Sequence, residues 1–150
     1  MLKYPAKFEP AEEGGFIVEF PDLAGCITEG DTLEEAKEMA QDALTGWLDV
    51  MYEMNGKIPA PSKIDGANIH YIAPEPDVAI PILIRQLRQS KGLTQKQISE
   101  AIGIKYQAYQ RFENPKTFNA TVKTLKRISN VLGRELVIDF AKITPEPTAI

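Results

Sequence analysis

LTQKQISEAIGIKYQAYQRFEN, residues 93–114, decides how the second half of this chain folds. Two short helices that cross steeply through a tight turn make specific demands on residue type. Ser99 is small where the second helix must pass close to the first. Gly103 sits at the turn, where a positive φ carries no Cβ clash. Ile98, Ile102, Ile104, Tyr109 and Phe112 are apolar and form the seam between the two helices. All seven conditions are met at the required spacing, so the stretch reads as a helix-turn-helix.

Outward from this stretch the helical pattern continues. Residues 78–91, 94–102, 105–113 and 120–132 each suit a short helix, separated by Gly92, Gly103-Ile104 and Asn114-Pro115. Residues 135–140, ELVIDF, read as a final strand, apolar enough to pair across a two-fold axis, and 142–150 read as a frayed tail. Upstream, Pro74 and Pro76 mark 75–79 as a stiff linker. The expected units are therefore residues 1–74 and 80–141.

Residues 1–74 follow a different rhythm. Segments 2–8, 16–20, 25–29 and 69–73 read as strands, and Gly14-Gly15, Pro21-Asp22 and Gly30-Asp31 punctuate them. Thr32-Leu-Glu-Glu35 has the spacing of a capping box, in which the Glu35 carboxylate returns to the amide of Thr32. Apolar residues at 33, 36, 40, 43, 44, 47, 51 and 54 then give one buried helical face, with Trp47, Met51 and Met54 in the core. Asn55-Gly56 stops that helix and 57–66 reads as a loop. The fold class is α+β: a β-β-β-α-β unit, then a mostly helical unit with a terminal strand.

Charge divides the same way. Residues 1–74 carry five Lys/Arg against fourteen Asp/Glu, a net of −9, whereas residues 75–150 carry twelve against seven, a net of +5. Between 85 and 134 eleven basic residues face only Glu100 and Glu113. The basic half suits phosphates, and the acidic half suits a basic partner.

Residues 93–103 with RFEN at 111–114 resemble the phage repressor/Cro (Xre) family over roughly 80–140. The resemblance implies that the second helix of the motif lies in the major groove of operator DNA, its exposed positions being Lys105, Tyr106, Gln107, Gln110 and Arg111. Gln107 suits adenine, and Lys105 or Arg111 suits guanine or phosphate. Gln95 matches the family's Gln that contacts phosphate and braces the reading helix. Asn114, Lys116 and Thr117 follow in a loop that suits phosphate contacts. For Lys116, plain solvated charge is an equal reading. Pro115 stands where relatives commonly have Gly, which leaves the loop path open.

The N-terminal half, with PDLAGC at 21–26, GDT at 30–32 and Glu35-Ala36, resembles the HicB antitoxin family over about 3–73. That resemblance implies a degraded RNase H-like sheet that binds a HicA-like mRNA-cleaving toxin, and a protein that represses its own operon. Paired half-sites imply a homodimer or homotetramer. An alternative is a transcription regulator whose N-terminal unit senses a small ligand.

Catalysis is not expected. The first strand carries no acid to join a two-metal site, Glu9, Glu19, Asp22 and Glu29 have no compelling spacing, and His70 is the only histidine. No cofactor or metal is implied. Cys26 is the single cysteine, which fits a cytoplasmic protein, and its thiol is expected packed or half-exposed. No stretch approaches the length of a membrane span, and the N-terminus has no long apolar run of a signal peptide.

Overall fold

Alternation along the N-terminal strands commits one side of each to burial, and the sheet assembles on that side. The computed structural model describes residues 1–142. Strands β1 (Tyr4–Pro10), β2 (Phe16–Glu19), β3 (Ile27–Gly30) and β4 (Ile69–Ile72) form one antiparallel sheet in the order β3-β2-β1-β4. Val18 lies opposite Phe8 on one side and Thr28 on the other, and Tyr4 lies opposite Ile72. Tyr4, Ala6, Phe8 and Val18 are fully buried on this face.

Helix α1 (Leu33–Glu53) covers that face with a stripe of Ala36, Ala40, Leu44 and Leu48, one residue per helical turn. The Thr32 hydroxyl caps it by accepting from the Glu35 amide at 3.1 Å. The Glu35 carboxylate does not return to Thr32, as the capping-box spacing predicts; it reaches one residue further and accepts from the Asp31 amide at 3.0 Å. Asn55 takes a positive φ of 52° and ends the helix. The buried stripe runs through Leu48 and leaves Met54 72% exposed, so Met54 is not core, and Met51 and Trp47 are half-buried. Trp47 instead ties the helix to the loop after β2, its indole N–H donating to the Ala24 carbonyl at 3.0 Å. Cys26 is buried, and that burial pushes its thiol up to about 11.

The close approach of α1 to β3 depends on Gly30. A Cβ there would stand 2.5 Å from the Ala36 amide nitrogen and 2.6 Å from its Cα, both rigid backbone. The loop between α1 and β4 is pinned at several points. Tyr4 donates to the Pro59 carbonyl at 2.7 Å, the Ser62 amide donates to Asp22 at 2.8 Å, and the Tyr71 hydroxyl bridges the amide and carbonyl of Ile64 at 2.9 Å each.

The described residues divide into two compact units, Met1–Glu75 and Pro76–Lys142. In the second, α2 (Pro76–Ser90) starts inside the stretch read as linker, because a proline fits the first turn of a helix where its missing N–H has no partner to lose. Helices α3 (Gln95–Ile102) and α4 (Tyr106–Gln110), a 3₁₀ turn (Arg111–Glu113) and α5 (Val122–Val131) follow. Their core is Ile84, Ile98, Ile102, Tyr109, Ile128 and Leu132.

A further sequence expectation fails at the C-terminal end. Residues 135–140 form no strand in this chain, since the described part of this unit holds no strand for them to pair with. The tail expected at 142–150 lies, apart from Lys142, outside the described residues. Among the described residues no helix is long and apolar enough to cross a membrane.

Gly30→Ala should destabilise the N-terminal unit by roughly 1–3 kcal/mol, because backbone must move to admit the methyl. Gly46→Ala, on the exposed side of α1 with nothing within 4 Å of the new Cβ, should stabilise it by about 0.5–1 kcal/mol. Urea titrations read through Trp47 fluorescence will order the two variants on either side of the parent chain.

Candidate nucleic-acid interface

The site is built upward from the caps of two short helices. Thr94 opens α3 with a complete capping box: its hydroxyl accepts from the Gln97 amide at 3.0 Å and its own amide donates to the Gln97 side chain at 2.8 Å. Gly103 closes α3 in the left-handed conformation, φ 72°, as the turn requires. Ser99 is buried at the crossing and donates to the Lys96 carbonyl at 2.7 Å.

Helix α4 has only five residues, too few to be stable by itself. Tyr109 anchors it, fully buried against the core and edge-on to Phe112 at 6.4 Å. This anchoring turns Lys105, Tyr106, Gln107, Gln110 and Arg111 outward, all exposed. Among the described residues the buried Tyr109 hydroxyl has no hydrogen-bond partner. Burial first, and then the nearby Glu113 charge, hold its phenol in the neutral form well above the ordinary range.

Beneath α4 lies an ion pair that sequence reading missed. Glu113 is fully buried, and the Arg88 guanidinium grips it with two bonds, Nε to Oε2 at 2.7 Å and Nη2 to Oε1 at 2.9 Å. Arg88 Nη1 also donates to the Leu93 carbonyl at 2.8 Å. The network then climbs to the surface. The Gln95 side chain donates to Glu113 at 3.3 Å, the Tyr106 hydroxyl donates to the Gln95 side-chain Oε1 at 3.4 Å, and the Gln110 side chain donates to the Tyr106 hydroxyl at 3.0 Å. Gln95, Tyr106 and Gln110 are thereby joined on one hydrogen-bonded path that ends in a buried charge. A signal was present in the sequence: Glu113 is one of two acids in a strongly basic stretch, and it follows the seam residue Phe112.

An open cleft of about 450 Å³ lies at the start of α3, lined by Arg88, Leu93, Thr94, Gln95, Lys96 and Tyr106. A helix N-terminus with basic side chains around it suits an anionic oxygen. The loop after the 3₁₀ turn closes on itself. The Asn114 side chain accepts from the Lys116 amide at 3.0 Å, and the Thr117 hydroxyl donates to the Arg111 carbonyl at 3.2 Å. Asn114 is half-buried and spends its carbonyl on this turn, while Lys116 and Thr117 stay exposed. Pro115 is accommodated inside the turn, where the Thr117 amide reaches the Asn114 carbonyl at 3.1 Å.

The N-terminal unit offers a contrasting surface. On the sheet face away from the buried one, Glu9, Glu19 and Glu29 lie among Ile17, Ile27 and Lys7, all exposed, with Lys7 paired to Glu9 at 2.8 Å. His70 lies in β4, half-buried and edge-on to Phe8 with ring centroids 4.9 Å apart. Among the described residues no group of three or more His, Cys, Asp or Glu is placed to hold a metal ion.

Comparison with known proteins gives two family matches along the chain. Residues 4–85 match the HicB_like antitoxin of bacterial toxin-antitoxin system family, and residues 84–138 match a helix-turn-helix family. Antitoxin HicB 1 of Photorhabdus laumondii is 33% identical over 139 residues, 93% of this chain and 87% of that one. Antitoxin HicB of Escherichia coli K12 is 33% identical over 136 residues, 90% of this chain and 96% of that one. A chain of a solved toxin–antitoxin complex from Streptococcus pneumoniae is similar at a TM-score of 0.44 and 20% identity, over 67% of this chain and 96% of that one.

Breaking the ion pair from one side should be costly. Glu113→Ala takes the carboxylate from a largely buried guanidinium and should destabilise the C-terminal unit by about 3–5 kcal/mol, whereas Arg88→Met combined with Glu113→Leu should cost much less. Tyr109→Phe removes an unsatisfied hydroxyl and should leave stability unchanged or raise it by up to about 1 kcal/mol. Calorimetric melts of the full chain read all three.

Proposed function

The chain belongs to the HicB-like antitoxin family, and from that premise we propose that it neutralises a HicA-like mRNA-cleaving ribonuclease and represses its own operon. It is an antitoxin of a toxin–antitoxin system with a helix-turn-helix DNA-binding domain. In this reading it acts in the cytoplasm by binding alone, as a homodimer or homotetramer. The N-terminal unit, residues 1–74, holds the toxin, and residues 80–141 hold operator DNA.

The observation that carries the DNA reading is the outward row on α4, held by a buried brace. Gln107 projects from the short helix that Tyr109 fixes to the core, and Lys105 and Arg111 flank its two ends, all exposed. Inserted in the major groove, Gln107 pairs with an adenine edge, and Lys105 or Arg111 takes a guanine edge or a phosphate. Gln95 and the α3 N-terminus take a backbone phosphate, which sets the register of α4 on the duplex. Because Gln95 is bonded to Glu113, the phosphate contact and the buried ion pair form one rigid element. Lys116 and Thr117 add phosphate contacts from the loop.

Toxin capture rests on charge. Residues 1–74 carry a net of −9, and part of it sits beside exposed isoleucines on the open sheet face. A ribonuclease presents basic groups where it holds RNA, so the same surface that binds its substrate is drawn to this unit. Apolar contacts at Ile17 and Ile27 then retain it.

Gln107→Ala should lower discrimination at one base pair by about 1–3 kcal/mol, with little change on random DNA. Lys116→Ala should weaken operator and random DNA alike. Competition titrations on both duplexes separate the two effects, and equal losses on both for Gln107→Ala would remove it from base reading. Co-purification from the native operon tests the toxin: a basic ribonuclease should accompany the chain, and its association should slow as salt is raised.

A further inference from the structure

We propose that Ala108 meets the 5-methyl group of a thymine beside the base pair that Gln107 reads, giving α4 an apolar specificity contact next to its polar one. The proposal rests on the DNA-reading role above. Helix geometry sorts the exposed side chains around α4. Gln107 and Arg111 stand about half a turn from the buried Tyr109 and point furthest from the core. Tyr106 and Gln110 lie on one flank, and Ala108 lies on the other, exposed. The Tyr106 flank is already committed. Its hydroxyl accepts from the Gln110 side chain at 3.0 Å and donates to Gln95 Oε1 at 3.4 Å. Tyr106 and Gln95 also line the cleft at the start of α3. These bonds turn that flank toward α3, on the side away from Ala108.

Ala108 offers different chemistry. Lys105 and Arg111 lie three residues before and after it, both exposed. Two cations therefore flank a spot that carries one methyl group and no side-chain hydrogen-bonding atom. The cations draw the helix toward DNA, and the lack of bulk between them lets the backbone of α4 come close to the base edges. In the major groove the apolar feature of a base edge is the C5-methyl of thymine, and a short apolar side chain is its natural contact. A base edge that turns a donor or acceptor toward Ala108 would lose its water and gain no bond in return, which disfavours it. Gln107 precedes Ala108 in the chain, so the methyl belongs to a base pair neighbouring the adenine that Gln107 reads. The two contacts together select a short A·T-containing step, with Lys105 and Arg111 reaching the guanine edges or phosphates around it.

The test uses the full chain and a duplex that it enriches from a randomised library. Each thymine of that duplex is replaced singly by deoxyuridine, which removes the methyl and keeps the base pairing. One replacement in each half-site should weaken binding by about 3–10-fold, the size expected for one buried methyl group. Ala108→Gly should bind the thymine and uracil duplexes alike at that position. Ala108→Ser, which keeps a side chain on the helix and sets a hydroxyl against the methyl, should also shrink the difference, and it covers the case in which glycine loosens α4. Thymines that can all be replaced without loss, or a loss that persists undiminished in both variants, overturn the proposal and leave base reading by Gln107 standing. A library that yields no preferred sequence overturns the DNA reading and this proposal with it.

Discussion

The buried pair between Arg88 and Glu113 is the constraint on which the C-terminal unit turns. A carboxylate with no exposed surface is tolerated only when its charge is met and its lone pairs are occupied. Here Arg88 supplies two parallel bonds and Gln95 a third. The geometry is demanding because a guanidinium fork is planar and accepts few orientations. Arg88 belongs to α2, Glu113 to the 3₁₀ turn and Gln95 to the first turn of α3, so a single charge fixes three elements against one another. Replacing the pair with apolar side chains would largely preserve stability, but it would release Gln95. The pair is therefore better understood as specifying geometry than as contributing net stability.

The N-terminal unit solves a different problem by a different means. Its core is made without buried charge, from alternating strand residues under a helix whose contact stripe is alanine where β3 approaches and leucine further along. Gly30 and Ala36 are small because the backbones nearly touch there. With one helix available, only one sheet face is covered, and antiparallel sheets accept water on the other. That open face is where acidic and apolar residues lie together, and it is free to carry partner chemistry because folding makes no demand on it.

Much of this was legible in the sequence, for reasons that particular residues make clear. Thr94, Ser99, Gly103 and Tyr109 act through local geometry, which spacing along the chain reports directly, and each sits where the motif places it. The succession of strands and the long helix along the chain follows from periodicity and the turn residues that interrupt it; the order of strands in the sheet does not. What spacing does not report is pairing across long separations. Arg88 and Glu113 lie 25 residues apart, and nothing in either neighbourhood announces the other. Periodicity also misjudged the ends. Met54 fits the apolar pattern but falls beyond the sheet that would cover it, whereas Leu48, one turn beyond Leu44, is buried. The 135–140 segment has a strand's composition, yet a strand exists only with a neighbour, and composition cannot supply one.

Helix α4 shows why core and recognition cannot be separated in this fold. Five residues nucleate no stable helix in water, so its conformation is imposed by what it packs on. Tyr109 and Phe112 hold it from below, the Gly103 turn sets its entry, and the 3₁₀ turn that ends it carries Glu113 into the ion pair. The side chains that face outward have their positions set by these inward contacts. Tyr106 and Gln110 are bonded to each other and, through Gln95, to the buried carboxylate. A shift of the core is carried by these bonds to the outward side chains. Substitutions that never approach the duplex will therefore alter its recognition, and affinity for DNA becomes a sensitive readout of packing in the interior.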